Sequence, residues 1–321
     1  MSGRHFGRRE FIGGAAAMAG GAMLSREVLR GAEAGPPPAP KTAVDQVTLG
    51  KCGVKLCRLG VGTGSRGASV QRALGKETFV KMLHHAFAQG VTYIDTADNY
   101  KTHEWVGAAI RGRDREKLYL LSKVWGVPQD PAKDLDRFRR ELGTDYIDTV
   151  LLHCATTPKW VEERKKVVDT LIEAREKKQI RSIGVSCHTM AALNRTPDLD
   201  WLDMVLVRIN PQNVAMDTSP RRRKRGAKPQ PKPKTGPEAI RPVVDAVKKL
   251  RAKGRGIIGM KIIGNGTFTK PEDREKSIRY AMGCGLLDAV TIGFKNTDEI
   301  DEAITRMNNA LAAGPGTRTR T

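Results

Sequence analysis

Four polar residues follow short apolar runs, and together they make a proton-donor site. Asp95 and Tyr100 fall in Tyr93-Ile94-Asp95-Thr96-Ala97-Asp98-Asn99-Tyr100, Lys123 in Leu120-Leu121-Ser122-Lys123-Val124-Trp125, and His153 in Val150-Leu151-Leu152-His153-Cys154. Each run reads as a buried parallel strand. The carboxyl ends of parallel strands form one face, where chemistry collects. A Lys123 ammonium near the Tyr100 hydroxyl is expected to lower a phenol pKa that starts near about 10. Asp95 would hold the lysine, and His153 would orient a carbonyl. That equipment gives a proton to a carbonyl oxygen as hydride arrives from a cofactor. A single His or Lys after a strand is more often an ordinary loop residue. Four such residues on three consecutive strands are far more specific.

The elements that must position them alternate. Candidate strands are 57–62, 92–96, 118–124, 146–153, 181–186, 203–209, 256–262 and 288–293. Between them, Phe79, Met82, Leu83, Ala86 and Phe87 keep helical spacing. So do Ile240, Val243, Val244, Val247 and Leu250, and again Ile300, Ala303, Ile304, Met307 and Leu311. These are core-facing helix stripes, and Gly90 and Gly254 are expected to close their helices. Eight strand–helix units fit one α/β (β/α)8 TIM barrel, whose usual size is about 250 residues. Residues 47–50 and 54–56 read as a β-hairpin plugging the barrel floor. Gly62-Thr63-Gly64-Ser65-Arg66-Gly67 matches a dinucleotide fingerprint, but the acid should fall about 20 residues on. Asp95 lies further than that, and helical patterning starts only near Lys76. The open Rossmann-type sheet is therefore set aside.

Across about 47–312 the chain resembles the aldo-keto reductase family. The resemblance is carried by Asp95-Thr96-Ala97 with Tyr100, by Ser122-Lys123, and by the run Gly143-Thr144-Asp145-Tyr146-Ile147-Asp148 leading to His153. Ile183-Gly184-Val185-Ser186 and Ile257-Ile258-Gly259-Met260-Lys261 resemble its fifth and seventh strands. The resemblance implies a nicotinamide cofactor and a catalytic tetrad of Asp95, Tyr100, Lys123 and His153, with Tyr100 as proton donor. It further implies a cofactor site that includes Ser186, Cys187, Asn210, Gly264, Gly293, Lys295 and Asn296. Lys295 is the expected 2′-phosphate contact, so NADP(H) is expected over NAD(H). The departures also fall on this side. Cys187 stands where the family usually has Asn, Leu206 where it has Gln, Ile209 where an aromatic often stacks, and Ala303 where Asn contacts adenine. Backbone amides of Gly264-Asn265-Gly266 and Gly293-Phe294 would still serve the phosphates.

The amino terminus carries a second signal. Arg8-Arg9-Glu10-Phe11-Ile12 precedes a Gly/Ala-rich, mildly apolar core. Residues 1–34 read as a twin-arginine export signal, with 35–46 a Pro-rich linker. The expected location is periplasmic or extracytoplasmic, the twin-arginine machinery is an expected partner, and no transmembrane span is expected in the mature chain. The five cysteines show no metal-site spacing, and a Cys52–Cys57 bridge stays open. The net charge is +21, much of it in the basic, Pro-rich insertion 217–237; 313–321 reads as a tail. The insertion is a solvated loop, or it captures an anionic substrate, acidic lipid or nucleic acid nonspecifically. No aromatic interleaving supports specific nucleic-acid binding.

The first expectation is an exported NAD(P)H-dependent oxidoreductase acting on a small carbonyl or alcohol. The alternative is an exported, non-catalytic ligand-binding or sensor protein on a reductase barrel with a degraded nicotinamide site. A weaker third is a protein that binds anionic surfaces through its basic loop.

Overall fold

The computed structural model describes residues 41–216 and 235–314. The export signal, residues 35–40 of the linker, residues 217–234 of the basic insertion, and the tail beyond 314 lie outside the described residues.

The strands are β1 (Gln46–Thr48), β2 (Lys55–Cys57), β3 (Leu59–Gly62), β4 (Tyr93–Asp95), β5 (Tyr119–Trp125), β6 (Ile147–Ala155), β7 (Ile180–Cys187), β8 (Met204–Arg208), β9 (Gly256–Met260) and β10 (Ala289–Ile292). β3 to β10 close into one barrel in chain order, β10 pairing back onto β3. All eight pairings are parallel. Their residues are almost all buried, as expected of strands covered on both faces. The expected first strand 57–62 divides, because Arg58 lies between the hairpin and the barrel; its amide donates to Asp45 O at 3.0 Å and its Nε to Thr42 O at 3.2 Å.

β1 and β2 form an antiparallel hairpin. Its turn seals the amino end of the barrel: Leu49 is fully buried, Lys51 N donates to Gly254 O at 2.8 Å, and Gly50 N to Asp288 Oδ2 at 3.3 Å. Gly50 has φ 49°, and a β-carbon there would stand 2.3 Å from Gly256 N. Three aspartates beside strand starts clamp the same end. Asp148 accepts from Leu120 N at 2.9 Å, Asp203 from Ile183 N at 2.8 Å, and Asp288 from Ile257 N at 2.8 Å. Arginines close each clamp from outside. The floor is thus rigid, and the opposite face is left to the loops.

The expected helices form with their apolar stripes inward: Phe79, Met82, Leu83 and Ala86 in Gly75–Ala88, Ile240, Val243, Val247 and Leu250 in Pro237–Ala252, and Ile300, Ala303 and Met307 in Thr297–Ala312. Gly90 (φ 87°) and Gly254 (φ 78°) follow their helices as left-handed closures.

Candidate active site

The carboxyl ends of β4, β5 and β6 bring the four predicted residues together. Lys123 reaches across from β5 and donates to Asp95 Oδ1 and, at 2.7 Å, to Thr96 O. Both partners are buried, at 1% and 4% exposure. Burial holds the Asp95 carboxyl above its usual range and the Lys123 ammonium below its own, while their mutual attraction opposes both shifts. Lys123 Nζ lies 5.0 Å from the centroid of the Tyr100 ring. Tyr100 comes from the short 3-10 turn Asp98–Tyr100 after β4, and its hydroxyl is 3.5 Å from His153 Nε2.

The phenol is not lowered as expected. Burial pushes the Tyr100 pKa well above the usual phenol value, and Asp95 adds to that. The lysine charge next to the ring is already matched by Asp95. Tyr100 is therefore held protonated. Burial and the nearby Lys123, His188, Arg164 and Lys261 keep His153 neutral far below its ordinary pKa. Trp125 packs edge-on to His153, ring centroids 5.1 Å apart, and is 49% exposed.

A cavity of about 470 Å³ starts at Asp95, Tyr100 and Lys123. It runs past Leu206 and Met260 towards the ends of β9 and β10, and reaches Lys295, Glu299, Arg274 and Arg306. The glycine-rich loop after β3 forms part of its wall through Gly62, Gly64 and Ser65. Ser65 Oγ packs so closely on Gly293 that a β-carbon at 293 would stand 2.0 Å away. The size suits a large organic cofactor or ligand.

The sequence model of the aldo/keto reductase family matches residues 58–227, just over half of the chain. The chain belongs to the aldo/keto reductase family. A 9,11-endoperoxide prostaglandin H2 reductase of Trypanosoma cruzi is 37% identical over 128 residues, covering 37% of this chain and 43% of that protein. An aldo-keto reductase of Mycobacterium sp. strain KMS is 39% identical over 110 residues, covering 32% of this chain and 38% of that protein. The chain thus matches less than half the length of these curated relatives. Among solved structures, the holo form of an aldo-keto reductase from Bacillus halodurans superposes with a TM-score of 0.60 at 17% identity, over 87% of this chain and 100% of that one.

The expected cofactor residues divide. Gly293 and Lys295 line the cavity, as do Asn265 and Gly266 next to Gly264. Gly264 itself is buried with φ 58° under Thr267 and Phe268. Ser186, Cys187 and Asn210 stand behind the wall, buried. Ser186 Oγ accepts from Cys154 N at 2.8 Å, pinning the bulge after His153. The Asn210 amide donates to Val214 O at 2.7 Å and Lys261 O at 3.1 Å, and accepts from Val214 N at 3.0 Å. It is a loop clasp. Asn296 caps the last helix, its Oδ1 accepting from Glu299 N at 3.0 Å.

Sequence reasoning missed a basic group beside His153. Arg208, at the end of β8, donates to His188 Nδ1, which also lies 3.2 Å from Cys154 Sγ. Arg164 donates to His153 O at 2.5 Å. Lys261, in the cavity wall, is pushed down to about 8 by burial and by Arg208, and donates to Asn265 Oδ1 at 2.9 Å. These residues sit at or beyond the ends of four separate strands, β6 to β9, and no spacing in the chain links them.

Proposed function

We propose that this protein is a nicotinamide-dependent oxidoreductase that interconverts a small carbonyl compound and its alcohol, with Tyr100 as proton donor. The observation that carries the reading is the pairing of the Tyr100 hydroxyl with His153 Nε2 at 3.5 Å, at one end of a cavity whose buried end holds Lys123 and Asp95.

The residues present fit a dinucleotide. Glycines 62, 64 and 293 leave room along the wall, Leu206 and Met260 flank the inner part, and Gly266 and Lys295 lie further out. The bound cofactor supplies the hydride. The chain supplies the rest. Tyr100 and neutral His153 present two polar groups to one carbonyl oxygen. Tyr100, protonated at ordinary pH, gives its proton as negative charge builds on that oxygen. A buried phenol is a weak acid, and the ammonium of Lys123 beside its ring, shared with Asp95, offsets only part of the cost of the phenolate that proton transfer leaves. Asp95 keeps that ammonium charged in a buried site. Arg164 and Lys261 near His153 favour a substrate carrying a negative charge.

The test is cofactor oxidation by purified protein with acidic and neutral aldehydes. Turnover that vanishes in Tyr100→Phe supports the reading. No turnover with any aldehyde, despite cofactor binding, favours instead a ligand-binding or sensor role. Ser186 and Asn210 favour that second reading, because their polar groups are spent within the protein.

We further propose export by the twin-arginine route, on the strength of Arg8-Arg9 and the Gly/Ala core behind them. Among the described residues no helix is long and apolar enough to cross a membrane. Fractionation of cells carrying Arg8→Lys with Arg9→Lys tests this: the variant should stay cytoplasmic, and normal export of the variant would sink it.

A further inference from the structure

We propose that Glu299 makes the outer end of the cavity selective for a ribose with a free 2′-hydroxyl, so that the protein takes NAD(H) in preference to NADP(H). The inference rests on the nicotinamide reading above. If hydride is delivered beside Tyr100, the adenosine half of the dinucleotide must lie at the other end of the cavity. That end is lined by Lys295, Glu299, Arg274, Glu302 and Arg306.

Its charges are already matched. Arg274 sets Nε and Nη2 on Glu302 Oε1 at 3.0 and 2.9 Å, and gives Nη1 to the carbonyls of Thr269 and Phe268 at 2.6 and 3.2 Å. Arg306 is shared between Glu302 at 2.8 Å and Glu275 at 2.6 Å. Lys295 Nζ lies 3.2 Å from Glu299 Oε1. Arg274, Arg306 and Lys295 thus each have a carboxylate beside them, whereas Arg66, on the loop after β3, and Lys261 also line the cavity. Lys295, the residue from which NADP(H) was expected, is 67% exposed and the most easily released. Any phosphate it reached would still meet the Glu299 carboxylate.

Glu299 is also fixed in place. Its Oε2 accepts the backbone amide of Lys295 at 2.7 Å, and its own amide is capped by Asn296. It thus occupies an amide at the start of the last helix that would otherwise be open to an anion. An ionised carboxylate is acceptor-only, with about four lone-pair sites. One hydrogen bond and the Lys295 ion pair leave capacity for a ribose diol, whose hydroxyls donate. A 2′-phosphate carries close to two negative charges at neutral pH and has nothing to donate. A carboxylate on the ribose hydroxyl favours NAD, whereas a neighbouring arginine accommodates the 2′-phosphate of NADP. Here Arg274 and Arg306 are held by Glu302 and Glu275, and beside Lys295 the carboxylate of Glu299 is the group on offer.

The test is equilibrium binding, read without turnover. The full chain is titrated calorimetrically with NAD+ and NADP+, and with adenosine 5′-diphosphate and its 2′-phosphorylated counterpart. NAD+ should bind at least about tenfold tighter than NADP+, and the two adenosine fragments should show the same order. Glu299→Gln keeps an acceptor for the Lys295 amide and removes the charge. It should close the gap by about tenfold, equivalent to about 1.4 kcal/mol. Lys295→Ala, a second variant that leaves the helix cap intact, should change both affinities by less than about twofold relative to each other. NADP+ binding as tightly as NAD+, or an unchanged gap in Glu299→Gln, overturns the inference and leaves the oxidoreductase reading standing. Failure of either dinucleotide to bind overturns both.

Discussion

Gly64 lies flat against Tyr100: a β-carbon at 64 would stand 2.2 Å from Cζ of the ring and 2.5 Å from the phenol oxygen. The glycine-rich loop after β3 is therefore built to admit the tyrosine as well as to line the cavity. Alanine at 64 must push the ring aside. A shift of about 1 Å in a reacting group can cost about 100-fold in rate, and Gly64→Ala should lose turnover on that scale. Circular dichroism should show the fold retained, and dinucleotide affinity should change far less than turnover. Turnover near the wild-type value would mean that the place of Tyr100 does not limit the reaction.

Lys123 and Asp95 form a buried ion pair, with Lys261 a further positive charge acting on Asp95. Removing one partner of a buried pair leaves an uncompensated charge, at a cost of about 3–5 kcal/mol. Asp95→Asn and Lys123→Met should each destabilise by that order in denaturant unfolding. The double variant should recover part of the loss, because both desolvated charges are gone. If the double variant were as unstable as the two singles added together, the pair would not be coupled.

The barrel was legible because strands buried on both faces read as unbroken apolar runs, and the meeting of Asp95, Lys123 and His153 because each lies in or at the end of such a run, with Tyr100 just beyond β4. The strand ends moved by only a few residues, as at Arg58, where a hairpin abuts the barrel. Side-chain commitments were not legible. Ser186 and Asn210 look in sequence like polar groups free to hold a cofactor, yet their hydrogen bonds go to Cys154, Val214 and Lys261. The effect of Lys123 on Tyr100 was misjudged for the same reason. A lysine lowers a neighbouring pKa only with charge to spare, and Asp95 takes that charge in a dry site. His188 and Arg208 meet only because β7 and β8 are neighbours in the closed barrel.

His188 gives the site a dependence on acid. Burial and the adjacent Arg208, Lys261, Lys123 and Arg164 depress its folded pKa to about 2, against about 6.5 when unfolded. Between those values the unfolded chain binds a proton that the folded chain refuses. The stability it contributes is whole above about 6.5 and falls with pH below it, at up to about 1.4 kcal/mol per pH unit. From pH 7 to pH 5, His188→Asn should lose about 2 kcal/mol less than the wild type in urea unfolding. Equal losses would place the acid sensitivity elsewhere, with His153 the next group to test.

Asp148 separates structure from chemistry. It belongs to the Asp145-Tyr146-Ile147-Asp148 run that helped to identify the chain, yet it lies at the barrel floor, away from the cavity. Its carboxylate is fully buried and holds Arg115 at 2.7 Å, Arg181 at 3.0 Å and Leu120 N at 2.9 Å. It thereby joins the starts of β5, β6 and β7. Asp148→Ala strips the acceptor from one buried amide and two guanidinium groups, a loss of about 3–5 kcal/mol by the cost of breaking a buried pair. Because the floor does not touch the cavity, the fraction that folds should bind dinucleotide with wild-type affinity and turn over at the wild-type rate per folded molecule. Thermal melting alongside active-site titration measures both. A variant of wild-type stability would mean that the floor clamps are redundant. A stable variant with a damaged site would mean that strain at the floor passes up β6 to His153.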